Sequence, residues 1–219
     1  MTFSIAALCP RTGQIGIAAT TAAQSVGKLA CHALPGVGAF ASQARLNPYL
    51  AYDGLRLLQR GATAEVALAR VLASDPEQQE RQVGVIDRHG NIAAFTGAEN
   101  IPWAGHVAGR LFVTQGNRLA GPQVLQSVVE SMQGTEHLEL AERLVLALGA
   151  GADAGGDVEG ERSINVMVFA DEEYPLCDIR IDDHDEPLIE LERLFALYRE
   201  EILPVVLGLP KRTEIAEPR

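Results

Sequence analysis

The chain has 219 residues, 47% hydrophobic and 21% charged, a composition typical of a globular domain that excludes a disordered, collagen-like or coiled-coil protein. Its 18 basic and 29 acidic residues give a net charge of −11, and an acidic chain repels phosphate backbones, so no nucleic-acid partner is expected. Glycine, proline or a charge breaks every apolar run before the roughly 18 residues of a membrane span, and no signal peptide is visible, so we expect a cytoplasmic protein without a membrane partner.

The first half of the chain predicts two hairpins separated by a strand and a pair of helices. Apolar runs between turn residues indicate the strands, and capping residues with helical periodicity indicate the helices. In chain order the predicted elements are strands over 2–8 and 14–19, a loop or irregular strand over 20–36, a strand over 37–43, helices from Asn47 to about Gly61 and from Thr63 to about Ala73, and strands over 82–87 and 91–96. The first strand is almost continuously apolar, so we expect both its faces to be covered.

The second half predicts fewer hairpins and more helix. After a glycine-rich loop the predicted elements are a strand over 111–115, helices from Gly121 to about Met132 and over 138–148, a loop over 149–160, strands over 163–170 and 176–181, and a last helix. Five apolar residues at helical spacing predict one buried face of that last helix, and Pro204 and Pro210 are expected to end it: Leu188, Leu191, Phe195, Tyr198 and Ile202.

This order of elements predicts the fold class. Hairpins that alternate with pairs of helices do not suit a parallel sheet built from right-handed βαβ units. They predict an α+β fold in which two antiparallel sheets pack face to face between helical layers, a four-layer αββα sandwich. No linker divides the chain, so we expect a single domain over residues 1–208 and a flexible tail over 209–219.

Metal, cofactor and cysteine chemistry find little support in the sequence. No phosphate-binding loop, dinucleotide fingerprint or nucleophile elbow occurs. The run Asp182, Asp183, His184 and Asp185 could bind a metal, but consecutive side chains point in different directions, and a turn before the last helix is the favoured interpretation. The three cysteines form no CxxC pair and are interpreted as reduced thiols. We therefore expect neither a metal nor a cofactor.

Polar residues near two strands could line a pocket. His106 follows Trp103 in a loop of small residues, where the pair could border a small-molecule site or pack on the core. Gln115 and Asn117 flank a glycine at the end of a predicted strand, and period-2 spacing places their side chains on the same side. Two such amides could orient a polar ligand or stabilise an oxyanion, or they could belong to an ordinary turn.

Thr2 gives the chain a candidate nucleophile. Removal of Met1 would leave a hydroxyl and a free amine on one residue at the start of a buried strand. An α-amine has a pKa of about 7.7–8.0, so it can act as a base near neutral pH. A threonine paired with its own amine is an established type of activated nucleophile, although many proteins begin Met-Thr without using it.

Several segments together resemble one bacterial family. They are MTFSIAALCPRTGQIGIAA, VGAFASQA, RQVGVIDRHGNIAAFTG, PWAGH, TQGN and IRIDDH, in that order from residue 2 to about residue 200. The family is catalogued as domain of unknown function 1028 and is classed with the N-terminal-nucleophile (Ntn) hydrolases. The resemblance implies the αββα sandwich of the proteasome and its relatives, Thr2 as nucleophile, and an amide bond in a small or peptide-like substrate.

The resemblance also implies roles for other residues. Proteasome-like enzymes tune the amine with a lysine, for which Lys28 is the candidate here, and a nearby ammonium would lower the pKa of the amine. Asn117 is a candidate for holding the oxyanion. Gln43, His106 and Gln115 lie in motifs typical of the family, so they are expected to bind substrate. Ntn proteins often assemble, so a homo-oligomer is expected by analogy; a non-catalytic binding or structural protein on the same fold is the alternative.

Overall fold

The computed structural model describes residues 2–214, which form ten strands, seven α-helices and short 3₁₀ and π segments. The strands are β1 (Thr2–Leu8), β2 (Ile15–Thr21), β3 (Cys31–Leu34), β4 (Gly38–Ala44), β5 (Arg81–Asp87), β6 (Ile92–Thr96), β7 (Gly105–Gly109), β8 (Phe112–Asn117), β9 (Ser163–Phe169) and β10 (Cys177–Ile181). The helices are α1 (Val26–Leu29), α2 (Pro48–Gln59), α3 (Ala64–Ala73), α4 (Gln123–Gly134), α5 (Leu140–Asp153), α6 (Pro187–Leu197) and α7 (Leu203–Leu207).

The described strands form two antiparallel sheets. The six-stranded sheet has the order β10-β9-β2-β1-β8-β7, and the four-stranded sheet has the order β3-β4-β5-β6. β1 lies in the interior of the larger sheet, paired with β2 on one side and with β8 on the other. Thr2, at the start of β1, lies opposite Asn117 at the end of β8. The predicted two-sheet architecture is confirmed.

Three apolar clusters hold the layers together. Phe3 and Ile5 of β1 pack with α4, α5 and α6 on the outer face of the larger sheet. Ala6, on the opposite face of β1, packs in a second cluster of small and branched residues between the sheets. Phe40 of β4 packs with α2 and α3 in a third cluster outside the smaller sheet. Because successive side chains of a strand point to opposite faces, β1 is covered on both, as its continuous apolar sequence predicts.

The predicted helix starts of α2 and α3 have the expected caps. The Asn47 side chain accepts a hydrogen bond from the Tyr49 amide, with Pro48 in the first turn of α2. The Thr63 hydroxyl accepts one from the Val66 amide at the start of α3. Local sequence was sufficient at these positions because each cap bonds to a residue only two or three positions away.

The glycine-rich segment before β8 is a strand rather than the predicted loop. Gly105 and Gly109 at the two ends of β7 give it a low intrinsic preference for extended structure, which is why the sequence did not indicate a strand. Pairing with β8 supplies the hydrogen-bond partners of the β7 backbone. The Trp103 ring lies where a β-carbon on Gly105 would stand, and the Phe112 ring lies where one on Gly109 would stand. β3 similarly forms by pairing with β4, within a segment predicted as loop or irregular strand.

The last helical segment departs from the predicted pattern at a π turn. Leu191 and Tyr198 are buried as expected, but Ile202 is 51% exposed. The Leu203 amide donates to the carbonyl of Tyr198, five residues back, so the turn over 198–202 is widened by one residue. That shift rotates Ile202 out of the buried face and brings Leu203 against the core. The chain then continues as α7 through Pro204 and does not end there.

One further boundary differs from the predictions. α5 continues to Asp153, into the segment 149–160 that was predicted as loop, because its glycines lie on a helix that packs against β2 and β9. Within the predicted flexible tail, the Pro210 carbonyl accepts a hydrogen bond from the Tyr174 hydroxyl, and the Arg212 amide donates one to the Glu172 carboxylate. Residues 215–219 lie outside the described part of the chain.

Within residues 2–214 no helix combines the length and apolar character needed to cross a bilayer.

A buried ion pair fixes the start of β5. Arg81 donates to both carboxylate oxygens of Asp75, at 2.8 and 3.2 Å, and also contacts Glu77 and the carbonyl of Arg45. Asp75 is 5% exposed and also accepts from the Asn47 side chain. The hydrogen bonds from Arg81 lower the pKa of Asp75 from 3.8 to about 2, in spite of its burial.

Asp75→Asn should lower the free energy of unfolding at pH 7 by about 3 kcal/mol, because it leaves the buried Arg81 partly uncompensated. In the natural protein the folded-state pKa is below the unfolded value, so the stabilisation is present above about pH 4 and is lost as pH falls towards 2. The pKa difference corresponds to about 2 kcal/mol. Urea unfolding of both proteins between pH 2 and pH 7 measures this, and parallel pH profiles for the two would contradict it.

Candidate functional site

Polar strand ends meet at one edge of the sandwich. Thr2 begins β1, Asn117 ends β8, Gln43 lies near the end of β4 and Gln82 near the start of β5. Their side chains occupy the layer between the two sheets, on the same faces as the apolar residues Ala6, Val113, Ala41 and Ile86 deeper in that layer. Four predominantly buried polar residues therefore close one end of the core that joins the sheets.

Hydrogen bonds hold both the backbone and the side chain of Thr2 in place. It is 7% exposed. Its hydroxyl donates to the hydroxyl of Thr21 at 3.1 Å, and its carbonyl accepts a hydrogen bond of 3.0 Å from the Gln43 side chain. Thr21 ends β2, the strand that pairs with β1, so two neighbouring strands fix the nucleophile candidate. Met1 lies outside the described residues.

Three buried amides, Gln43, Gln82 and Asn117, form a connected group that we term the amide cluster. The Oε1 of Gln82 accepts from Gln43 and from Asn117, each at 2.9 Å. Gln43 also donates to the Thr2 carbonyl, and its own oxygen accepts from the Ser4 hydroxyl at 2.6 Å. The amide cluster thus links Thr2 in the larger sheet to β4 and β5 in the smaller one.

His106 joins this cluster from the surface. It is exposed on β7, and its Nδ1 lies 2.9 Å from the Thr96 hydroxyl, whose oxygen lies 3.0 Å from the Gln82 nitrogen. Although the residue is exposed, the protein around its ring desolvates it and lowers the pKa of His106, which favours the neutral imidazole. Trp103 packs against the apolar cluster that contains Phe3 and Ile5, so this part of the segment before β8 lies on the core.

The other two predicted site residues make no hydrogen bond to the amide cluster or to Thr2 within the described part of the chain. Gln115 lies two residues deeper in β8 than Asn117 and donates to the Ala41 carbonyl between the sheets. Lys28 is exposed on α1, and no hydrogen bond or ion pair between described residues involves its side chain. Of the six predicted residues, hydrogen bonds or strand pairing therefore link Thr2, Gln43 and Asn117, and His106 approaches them through Thr96, whereas Gln115 and Lys28 make no hydrogen bond to this group.

A cleft of about 220 Å³ opens beside Asn117. Its walls combine charged, polar and aliphatic side chains from four segments: Ala44, Arg45, Glu80, Glu99, Asn100, Ile101, Asn117 and Arg118. Arg45 is paired with Glu80 at 2.7 Å, and Arg118 with Glu159. Both guanidinium groups are thus held in place at the cleft by carboxylates. A cleft of this size suits a small polar ligand better than a folded chain segment.

Two of the four described non-glycine residues with a positive φ line this cleft. Ala44 and Arg118 have φ angles of 70° and 54°, in the left-handed region that non-glycine residues seldom occupy. Each directly follows a member of the amide cluster, Gln43 or Asn117, and each lines the cleft. Strained backbone is retained where the surrounding structure fixes it, and such positions are frequent at functional sites. The strain therefore adds independent support to this edge as the candidate site.

Sequence reasoning missed Gln82 and Asp157. The alternation in RQVGVID would have placed Gln82 on the same face as Gly84 and Ile86, opposite Val83 and Val85, but nothing local indicates its partners. Asp157 is buried in a segment predicted as loop, where its carboxylate accepts from the amides of Ala22 and Glu159. Burial raises the pKa of Asp157. Its position beside Thr21 follows from tertiary contacts alone.

No metal site is found among residues 2–214, which contain no group of three or more candidate metal-ligating side chains. Within the acidic run, Asp183 bonds to Gln24 and Arg162, and the His184 ring accepts from the Glu186 amide, as a turn before α6 requires. Cys9, Cys31 and Cys177 are free and buried. Burial raises the pKa of Cys31 and of Cys177 to about 12, so these two thiols stay protonated.

Comparisons with known proteins place the chain in a family. The sequence model of the family of unknown function DUF1028 matches residues 2–191. A crystal structure of a DUF1028 protein from Silicibacter pomeroyi is 31% identical and superposes with a TM-score of 0.90, covering 100% of this chain and 97% of that one.

A more distant likeness adds nothing to this assignment. Anbu, the ancestral β-subunit from Yersinia bercovieri, is 14% identical with a TM-score of 0.45, over 95% of this chain and 98% of that one. A likeness of that size bears on neither fold nor function. A comparison with curated proteins gives no match. With the family model matched over most of its length, the chain belongs to the DUF1028 family.

Proposed function

We propose that this protein is an Ntn amidohydrolase that cleaves a small or peptide-like amide bond, with Thr2 as nucleophile after removal of Met1. The observation that carries the proposal is the position of Thr2, buried at the start of a central strand and opposite Asn117, which lines the cleft. The resemblance of the sequence to Ntn hydrolases supports the same reaction. The size of the cleft, about 220 Å³, favours a small amide as the substrate.

In the proposed reaction the Thr2 amine removes the proton of the Thr2 hydroxyl as its Oγ1 adds to the substrate carbonyl carbon. The carbonyl oxygen then carries a negative charge, which hydrogen-bond donors must stabilise. The C–N bond breaks, the leaving nitrogen takes the proton back from the amine, and an ester on Thr2 remains. Water adds to that ester with the amine again as base, the bond between the acyl carbon and Oγ1 breaks, Oγ1 takes the proton back from the amine, and the acid is released.

The amide cluster supports this reaction in two ways. Gln43 donates to the Thr2 carbonyl and so fixes the backbone that carries the nucleophile. Asn117 has two amide hydrogens, of which one donates to Gln82, and the residue lies in the wall of the cleft. Its second hydrogen has no partner among the described residues and is the donor that we assign to the oxyanion.

A non-catalytic binding protein on the same fold is the second candidate. The observation that favours it is the hydrogen bond between the hydroxyls of Thr2 and Thr21, which holds the proposed nucleophile in a nearly buried position. In that case the polar cleft would bind a small ligand and leave it unchanged. The two functions differ in whether Thr2 reacts covalently.

A fluorescent β-lactone tests the proposal without knowledge of the substrate. Thr2 Oγ1 would bond to the lactone carbonyl carbon, the ring C–O bond would break, and the ring oxygen would take the hydroxyl proton. We expect intact mass to show loss of Met1 and one lactone added, and peptide mapping to place it on Thr2. Met1-free protein that is not labelled, or is labelled elsewhere, would favour the binding protein.

A further inference from the structure

We propose that Gln82 is the positioning residue that orients Asn117 for the oxyanion, an inference that rests on the proposed function. Gln82 has no exposed surface and lies at the start of β5 in the smaller sheet. Its Nε2 donates across the interface to the carbonyls of Gly105 and Gly116, at 3.0 and 2.7 Å, in the larger sheet. It therefore joins the two sheets at the edge where Thr2 lies.

The orientation of the Gln82 amide follows from these two partners. A backbone carbonyl can only accept a hydrogen bond, so the nitrogen of Gln82 must face Gly105 and Gly116. Its oxygen must then face the opposite side, where Gln43 and Asn117 lie.

The orientation of Gln82 in turn fixes the other two amides of the cluster. The Gln82 oxygen can only accept, so Gln43 and Asn117 must each present their nitrogen to it. Gln43 then uses one hydrogen on Gln82 and the other on the Thr2 carbonyl, which leaves none for a ligand. Asn117 uses one hydrogen on Gln82, and its second hydrogen makes no bond to any of residues 2–214.

This arrangement divides the roles within the amide cluster. Gln43 holds the Thr2 backbone, Asn117 keeps a donor for the cleft, and Gln82 touches neither substrate nor nucleophile but sets both orientations. Without Gln82 the Asn117 amide could rotate and present its oxygen to the developing negative charge. A misoriented donor affects the transition state more than substrate binding, because the oxyanion exists only in the former.

The β-lactone provides the test through the maximal rate of Thr2 labelling and the half-saturating lactone concentration. Removing one oxyanion donor typically costs about 10²–10³ in rate, so Asn117→Ala should slow labelling by about 100-fold or more. Gln82→Met should slow it by at least about tenfold, with the half-saturating concentration within about twofold of the natural protein. Gln82→Met added to Asn117→Ala should slow labelling by much less than the product of the two single losses, because the group through which Gln82 acts on the oxyanion is already absent.

Thr114→Val is the matched control. It removes a buried hydrogen bond, to the Ser4 carbonyl, from the same strand as Asn117 without touching the amide cluster. We expect it to lower stability while labelling stays within about twofold. The positioning role would be overturned if Gln82→Met left the labelling rate unchanged. It would also be overturned if the double variant lost the full product of the two single losses. Failure of the natural protein to be labelled on Thr2 would instead overturn the proposed function, and this inference with it.

Gln82→Glu gives the same test if Gln82→Met does not fold. A neutral carboxyl keeps an accepting oxygen for Asn117 and an O–H donor for a carbonyl, and burial favours this neutral form. When it ionises it loses the donor, and the carbonyls of Gly105 and Gly116 repel the carboxylate from the position in which it accepts from Asn117. We therefore expect its labelling rate, divided by that of the natural protein, to fall as pH rises from 5 to 9. A ratio that stays constant across this range would overturn the inference.

Discussion

Thr2→Ala should reduce hydrolysis of a small amide or ureide by at least about 10⁴-fold, because deletion of an activated nucleophile leaves no covalent route. The loss should not reflect unfolding. Alanine fits the buried start of β1, and removing the hydrogen bond to Thr21 should change the free energy of unfolding by about 1 kcal/mol or less. Initial rates on a substrate from a screen of small amides and ureides, with urea unfolding of both proteins, measure the two effects.

Thr2→Ser is the matched variant for this prediction. It keeps the hydroxyl and the amine and removes only a methyl group, so part of the activity should remain. The order of rates should therefore be the natural protein, then Thr2→Ser, then Thr2→Ala. A Thr2→Ala protein that hydrolyses the substrate at the natural rate would show that the nucleophile lies elsewhere.

Retention of Met1 should abolish activity to the same extent as Thr2→Ala. The Thr2 nitrogen would then form a peptide bond, and an amide nitrogen cannot accept the hydroxyl proton near neutral pH. Protein purified with Met1 in place, verified by intact mass, should neither hydrolyse the substrate nor react with the β-lactone.

Treatment of the same sample with a methionine aminopeptidase provides the control. Activity should appear in proportion to the fraction of chains that have lost Met1, since each processed chain gains its own base. Mock-treated protein should remain inactive. Equal hydrolysis by Met1-retaining and processed protein would refute the use of the amine as base, whatever the nucleophile proves to be.

The candidate site was predicted from the sequence only in part. Thr2 could be identified because the proposed chemistry needs only one residue, a threonine that directly follows Met1. Asn117 could be identified because two amides at a strand end share a face. Lys28 is proposed from the family resemblance alone, which does not determine the direction of an exposed side chain on α1. Gln115 shares its face with Asn117 but lies deeper in the core, a depth that period-2 spacing cannot reveal.

Gln82 shows why the remainder of the site could not be predicted. Four of its hydrogen bonds reach residues 23 to 39 positions away in the sequence, on three different strands. None of these partners follows from local pattern. Its role depends on the packing of one sheet against the other, which brings the start of β5 beside the ends of β4 and β8.

The sequence by itself determined the elements whose stabilising partners are local. The apolar runs of β1 and β2 and the caps at Asn47 and Thr63 fix structure over a few residues, and the order of hairpins and helices then restricts the fold. Tertiary structure decided the rest. β7 exists because β8 supplies its hydrogen-bond partners, and the amide cluster is oriented because the carbonyls of Gly105 and Gly116 accept from Gln82. Groups far apart in sequence can stabilise each other only after the chain has brought them together, so no local pattern contains their geometry.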